Sequence, residues 1–390
     1  MNSIKMRALF LSLLSCMILV ACRKQTSGSG PGSSLPPLGN GLYVLIQGRY
    51  DTGIILPTDT AYKSSLTFYS FSSKMVIPDQ YMVANRRELG IQASDMKIYG
   101  SKLYLVLGGS SVVNITDAWT GKLIRQDSLV TTGSAYPPGS RLYYAYFRVP
   151  SSIYFNNGLG FISCDDGTIA VLDTATLDIM KYITAGPVGS FPAGMVAAGG
   201  KLYVSMSSPF SDSISVFDLT SMSRVKKIQV LPNPTTMAAD SYGNVYVASA
   251  YDAIFYLNQG GVPDPPHVGG ITIIDSRTDL IKSQTVVDLA INQPIALSGD
   301  LLYYLTDGNS VAVFNAKTQT AVSANFLKDN TSISQASALA VNPSTGEVFV
   351  ADEKLYDIMN GAVYAFDRTG KLEYSFATGV SPSRLVLLNQ

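Results

Sequence analysis

Residues 379–390 read GVSPSRLVLLNQ. A proline lies three positions ahead of an apolar residue here, Pro382 to Leu385, and the same spacing occurs at Pro150 to Ile153, Pro192 to Met195 and Pro234 to Met237. Proline suits the first residue of a strand, where its missing N–H does no harm. The three upstream copies each lead into further strand-like segments, whereas the last has nothing after it. Conversely, the first repeat, starting at Gly41, has no such proline segment before it. The two ends therefore complement each other. The spacing predicts a ring in which the C-terminal strand completes the unit begun at the N-terminus, leaving no open sheet edge.

Working outward, the repeat shows three parts. An aliphatic or small residue followed by an aromatic opens a short apolar strand at Leu42-Tyr43, Leu103-Tyr104, Gly160-Phe161, Leu202-Tyr203, Val245-Tyr246, Leu302-Tyr303 and Val348-Phe349. Six of these follow a glycine suited to a tight antiparallel turn: Gly100, Gly158, Gly200, Gly243, Gly299 and Gly346. The next strand ends in Asp or Asn with Thr close behind, at Asp117, Asp173, Asp218, Asp275, Asn315 and Asp367. Six regularly repeated side chains of this kind are turn-makers that bond their own backbone, since they cannot all belong to one active site. The fold class that follows is all-β: a seven-bladed β-propeller of four-stranded antiparallel blades over 41–390, about 50 residues per blade.

Lys5 and Arg7 precede the uncharged stretch ALFLSLLSCMILVA, residues 8–21, which is too short to span a bilayer and reads as an export signal over 1–21. LVAC at 19–22 resembles the bacterial lipobox, which makes Cys22 the lipidated first residue of the mature chain. RKQTSGSGPGSSLPPLGN then reads as a flexible tether over 22–40. Loss of the signal leaves Cys22 and Cys164, so no internal disulfide is expected, and Cys164 in LGFISCDDG reads as a buried structural thiol. In the same segment, Asp166-Gly167 fits the centre of a two-residue hairpin turn. The whole chain balances 28 basic against 28 acidic residues without long runs of either sign, which argues against a nucleic-acid partner.

In a blade whose strands run from axis to rim, the loops after the second strand and after the fourth share one face. The insertions 48–64, 131–148, 250–268 and 352–361 all fall there, and long loops on a rigid scaffold are the usual carriers of binding. They hold Arg49, Tyr50, Tyr136, Tyr144, Arg148, Tyr251, Tyr256 and the lone His267, taken together as the candidate ligand-binding residues. Tyrosine and arginine give large contact area with a polar handle. His267 reads as a solvent-facing loop residue, with axial ligation of a metal or corrinoid cobalt as its alternative. No catalytic or metal constellation is apparent: there is no G-x-S-x-G, no H-E-x-x-H and no Cys/His zinc spacing.

The LYV-type strand, the strand ending in Asp and the proline-led strand together resemble the YVTN-type seven-bladed β-propellers over the whole mature chain. GLYVLIQG (41–48), SSLTFYS (64–70) and ELGIQASDMKIYGSKLYLV (88–106) further resemble surface lipoprotein propellers of Bacteroidetes. Some members of that group capture cobalamin for an outer-membrane transporter. The resemblance implies a monomeric, non-enzymatic lipoprotein, anchored to the outer membrane, that takes up a small molecule such as a corrinoid and delivers it to a transporter. The same aromatic face would serve a protein-interaction scaffold at the outer membrane. A propeller hydrolase such as a lactonase would need convergent carboxylates, histidines or a metal on the axis.

Overall fold

Each aliphatic–aromatic opening becomes the second strand of a blade. A computed structural model describes residues 37–48, 63–129, 148–187, 190–207, 211–250, 269–287, 289–290, 294–354 and 359–389. Second strands run Gly41–Ile46, Lys102–Leu107, Leu159–Cys164, Lys201–Met206, Asn244–Ser249, Leu301–Leu305 and Val348–Asp352. They are buried along nearly their whole length, because neighbouring blades cover both faces. Outer strands such as Ile179–Thr184 and Leu280–Val286 are mostly exposed. Between blades lie separate apolar clusters, for example Tyr104, Val106, Ile115, Ile153, Ile162 and Leu172.

The innermost strands are Ala93–Tyr99, Pro150–Asn156, Pro192–Ala198, Pro234–Ala239, Ile295–Ser298, Ala336–Val341 and Pro382–Leu388. Successive members touch all the way round, including Ala336–Val341 against Pro382–Leu388 and Pro382–Leu388 against Ala93–Tyr99, so the ring is closed. Closure is made by the C-terminal strand, which pairs antiparallel with the first one, Leu385 opposite Val44 and Leu388 opposite Gly41. Leu385 and Leu388 are buried. All four proline-led segments begin their strands at the proline.

The turn glycines adopt the left-handed backbone the sequence required; Asn157 and Gly158, at φ 46° and 80°, form a two-residue link that a β-branched residue could not fill. The recurrent carboxylates and amides cap turns, Asp173 accepting from the N–H groups of Ala175 and Thr176 at 2.7 and 3.0 Å and Asn315 from Lys317 and Thr318 at 2.9 Å each. Those backbone bonds hold the Asp173, Asp218 and Asp367 carboxyls below the usual carboxylate range, with the Thr369 hydroxyl the largest cause for Asp367.

The turns also explain the tyrosine of the repeat. Its hydroxyl reaches a turn: Tyr43 donates to the Ala118 carbonyl of the next blade at 2.8 Å, Tyr203 to the Asp279 carboxylate of the next blade at 2.5 Å with the Ser276 carbonyl at 3.3 Å, and Tyr246 to the Asp240 carboxylate of its own blade at 2.8 Å with the Ala316 carbonyl of the next blade at 3.3 Å. In the first and fourth blades the tyrosine of the repeat therefore ties one blade to the next.

Three details differ from the sequence reading. The fourth strand of the first blade is reduced to Val76–Ile77, with Gly90–Ile91 pairing separately, and a helix, α1, Gln80–Asn85, stands between them. Asp79 caps α1 by accepting from Met82 N–H at 3.1 Å, and Asn85 docks it on the next blade by accepting from Leu123 N–H at 2.7 Å. The expected tether ends earlier than residue 40: Leu38 donates its N–H to the Trp119 carbonyl at 2.6 Å and packs against the core beneath it. The turn at Cys164 has three residues, not two, because Gly167 takes φ 82° after Asp165 and Asp166 and donates back to the Cys164 carbonyl.

Candidate functional site

The inner strands start with a common four-residue frame. Aligned on the apolar residue at its end, the frame reads ASDM at 93–96, PSSI at 150–153, PAGM at 192–195, PTTM at 234–237, ASAL at 336–339 and PSRL at 382–385, and in the sixth blade Ile295, opposite Tyr304 as Met96 is opposite Leu105, takes the apolar place with Pro294 before it. The ladder is irregular at the start of this frame in six blades, with shifts such as that between Ala93 and Asp95 or between Pro192 and Met195. Bulges of this kind re-aim side chains. Here the second and third frame positions turn toward the axis and toward the next blade.

Hydroxyls at the second position clamp neighbouring blades together. Ser94, Ser151 and Ser337 donate to the carbonyls of Pro150, Pro192 and Pro382, at 3.4, 3.0 and 2.6 Å, each the first frame residue of the following blade. Where Ala193 offers no hydroxyl, Ser205 donates instead to the Thr235 carbonyl at 2.8 Å. At the third position Gly194 allows close approach, since a Cβ there would lie 2.3 Å from the Thr235 carbonyl oxygen.

These frames wall an axial cavity of about 860 Å³. Gln47, Ser207 and Glu353, which follow second strands, also line it, so it opens at the end of the ring where second strands finish and inner strands begin. The mouth is polar, with Ser94, Ser151, Ser152, Ser337 and Ser383; Tyr154, Met195, Val196 and Met237 make the deeper wall apolar. Four of the seven third-position residues, Ser152, Gly194, Thr236 and Ala338, are small or hydroxylic and a fifth is Pro294, while the remaining two, Asp95 and Arg384, carry opposite charge on adjacent inner strands. Asp95 is buried: Oδ2 accepts from Ile153 N–H at 2.9 Å and Oδ1 from Met96 N–H at 2.8 Å. Arg384 Nε and Lys97 Nζ stand 3.6 and 3.5 Å from Oδ1. Among the described residues, no group of three or more His, Cys, Asp or Glu could hold a metal ion.

Of the residues singled out from sequence, Arg148 is the one whose place is described. Its guanidinium bonds Asp166 at 2.6 Å and lies 3.7 Å over the ring of Tyr182 on an outer strand, so it braces the rim of the third blade away from the axial cavity. Arg49, Tyr50, Tyr136, Tyr144, Tyr251, Tyr256, His267 and Cys22 lie outside the described residues. The four insertions nevertheless attach beside the cavity mouth, at Gln47, Val149, Ala250 and Asp352, all on one end of the blades. Cys164 is buried, and burial first, with the nearby Asp166 charge second, pushes its thiol up to about 12, which suits the structural reading. The sequence reading missed Asp95, Lys97 and Arg384; aligning the four-residue frames shows the two third-position charges among small residues.

Fold and cavity define a closed seven-bladed β-propeller with a polar axial pocket. The structure is similar to a crystal structure of a quinoprotein alcohol dehydrogenase-like protein from Bacteroides thetaiotaomicron: TM-score 0.64, 14% identity, covering 90% of this chain and 78% of that one. It is also similar to Kuenenia stuttgartiensis hydrazine synthase: TM-score 0.57, 13% identity, 75% and 93% of the two chains. A computationally designed protein, Ika8, matches at TM-score 0.53 and 12% identity, over 90% and 93%. Identities this low bear on the fold alone. No protein-family model matches the sequence. No curated protein matches it either.

Proposed function

We propose that this protein is an exported, lipid-anchored, non-enzymatic propeller that takes a small polar molecule into its axial cavity and delivers it to an outer-membrane transporter. The observation that carries the reading is the coincidence of two features at one end of the ring: the mouth of the 860 Å³ cavity and the attachment points of the four long insertions. That volume falls in the range of small-molecule sites, roughly 300–1,000 Å³. The leader at 1–21 and Cys22 support export and anchoring, and the resemblance to cobalamin-capturing lipoproteins makes a corrinoid the first cargo to try. In this reading the lipid on Cys22 supplies the attachment to the membrane.

The test uses purified protein, incubated separately with cyanocobalamin and with a polar-metabolite extract, desalted, denatured and assayed by absorbance and mass spectrometry. A stoichiometric molecule should be retained by the wild type and lost from Ala193→Trp, which fills the cavity. A colourless protein after cyanocobalamin removes the corrinoid. Retention of nothing, or equal retention by the filled variant, overturns the capture reading.

A further inference from the structure

We propose that the axial cavity is an oxyanion site, in which a carboxylate or phosphate of the ligand bridges Arg384 and Lys97 across the joint where the ring closes. This rests on the capture reading above and specifies the chemistry of its cargo.

Four charged side chains line the cavity, two of each sign, so formal charge alone gives no preference. Exposure decides. Asp95 and Glu353 are 3% and 8% exposed, whereas the side chains of Arg384 and Lys97 are 26% and 47% exposed. The cations therefore present more of their surface to an incoming molecule than the carboxylates do.

The cations are also not consumed by their internal partner. Asp95 takes backbone N–H bonds at 2.8 and 2.9 Å, while its separations from Lys97 and Arg384, 3.5 and 3.6 Å, are longer than the roughly 2.7–2.9 Å of a charge-assisted bond. Among the described residues, the guanidinium's short hydrogen bond is Nη1 to the carbonyl of Ser383 at 2.7 Å. Asp95 thus acts as a positioning residue: a buried anion pinned by the backbone, which gathers two donors toward the axis and leaves their remaining N–H bonds facing the cavity. A planar or tetrahedral oxyanion supplies the acceptors they lack.

The placement has a mechanical consequence. Arg384 belongs to the C-terminal strand Pro382–Leu388 and Lys97 to the neighbouring inner strand Ala93–Tyr99, which is first in its blade. One bound oxyanion ties both, so occupancy stabilises the C-terminal strand in particular.

The experiment is calorimetric titration with succinate and with inorganic phosphate, using 1,4-butanediol as the neutral analogue of succinate. It is paired with hydrogen–deuterium exchange over 382–388. Wild type should bind one of the two anions saturably, ignore the diol and exchange more slowly in the C-terminal strand than elsewhere. The preferred anion tells carboxylate from phosphate. Arg384→Gln and Lys97→Gln should each weaken binding about tenfold or more, and Ala193→Trp should abolish it. If Arg384→Gln fails to fold, Lys97→Gln decides, since nearly half of that side chain is in solvent. Absence of anion binding to the wild type, or affinity unchanged in Lys97→Gln, overturns the inference. A cargo that Ala193→Trp loses but both Gln variants retain at full affinity overturns the oxyanion chemistry and leaves capture standing.

Discussion

Replacing Tyr43 and Tyr104 separately by phenylalanine isolates what the repeated tyrosine contributes. Both side chains are fully buried at the same position of successive blades. Tyr43 donates to the Ala118 carbonyl at 2.8 Å, whereas the Tyr104 hydroxyl is buried and has no hydrogen-bond partner among the described residues. The carbonyl it would have used, that of Thr174, accepts from Lys102 Nζ at 3.4 Å instead. Tyr43→Phe removes a buried bond and strips a donor from the Ala118 carbonyl, a loss of about 1–2 kcal/mol. Tyr104→Phe removes a hydroxyl that was desolvated without return, so it should be neutral or stabilising by up to about 1 kcal/mol. Unfolding entropy near 2.1 cal/mol/K per residue over Pro37–Gln390 makes each kcal/mol worth a little over 1 °C. Differential scanning calorimetry of the two variants side by side should show Tm values about 1–4 °C apart, with Tyr43→Phe lower. Should Tyr104→Phe fall as far as Tyr43→Phe, the blade-locking role assigned to the hydroxyl is wrong.

Truncation after Val380 removes the inner strand of the first blade and with it the buried Leu385 and Leu388, so the shortened chain should lose its cooperative melting transition; an unchanged transition would refute ring closure as the main clasp. Gly194→Ala forces backbone apart where a Cβ would sit 2.3 Å from the Thr235 oxygen, and urea titration should find it destabilised by about 1–3 kcal/mol. Asp165 is held near pKa 6 in the folded state against 3.8 as a free side chain, chiefly by burial and then by the Asp166 charge. Because its folded pKa is the higher one, the native state binds the proton more tightly; the penalty is absent below 3.8, grows as pH rises, and is complete above about 6. Asp165→Asn should therefore raise stability at about pH 8 by an order of 1–2 kcal/mol and leave it unchanged at about pH 3.5; equal effects at both pH values would refute the burial argument.

The ring was legible in the sequence because its information is repeated. A buried second strand needs apolar residues on both faces, a tight turn needs glycine, and a strand start tolerates proline. Each rule recurs in several blades, and the errors of any one copy are outvoted. Legibility failed in the first blade, where GLYVLIQG announces a normal opening but the outer strand breaks around the helix Gln80–Asn85. Nothing repeats α1, and a six-residue helix has too little periodicity to stand out from a loop. It is held by tertiary bonds, Asn85 to Leu123 N–H and to the Gly121 carbonyl, between groups more than 30 residues apart.

The axial site poses the converse problem, because its information lies in departures from the repeat. Aromatic and arginine loop residues draw attention by composition, and Arg148, the described one among them, bonds Asp166 and lies over the face of Tyr182. Asp95 and Arg384 look ordinary in their own segments, ASDM and PSRL. They become informative only when the frames are superposed and the other third positions prove to be Ser152, Gly194, Thr236, Pro294 and Ala338. Small residues there are what axial crowding demands of a structural position. A buried carboxylate and a guanidinium on adjacent strands carry a desolvation cost that closing the ring does not require, since the other five blades close without them. Charge at a symmetric position where four other blades carry a small or hydroxylic side chain is the observation on which the proposed oxyanion site rests.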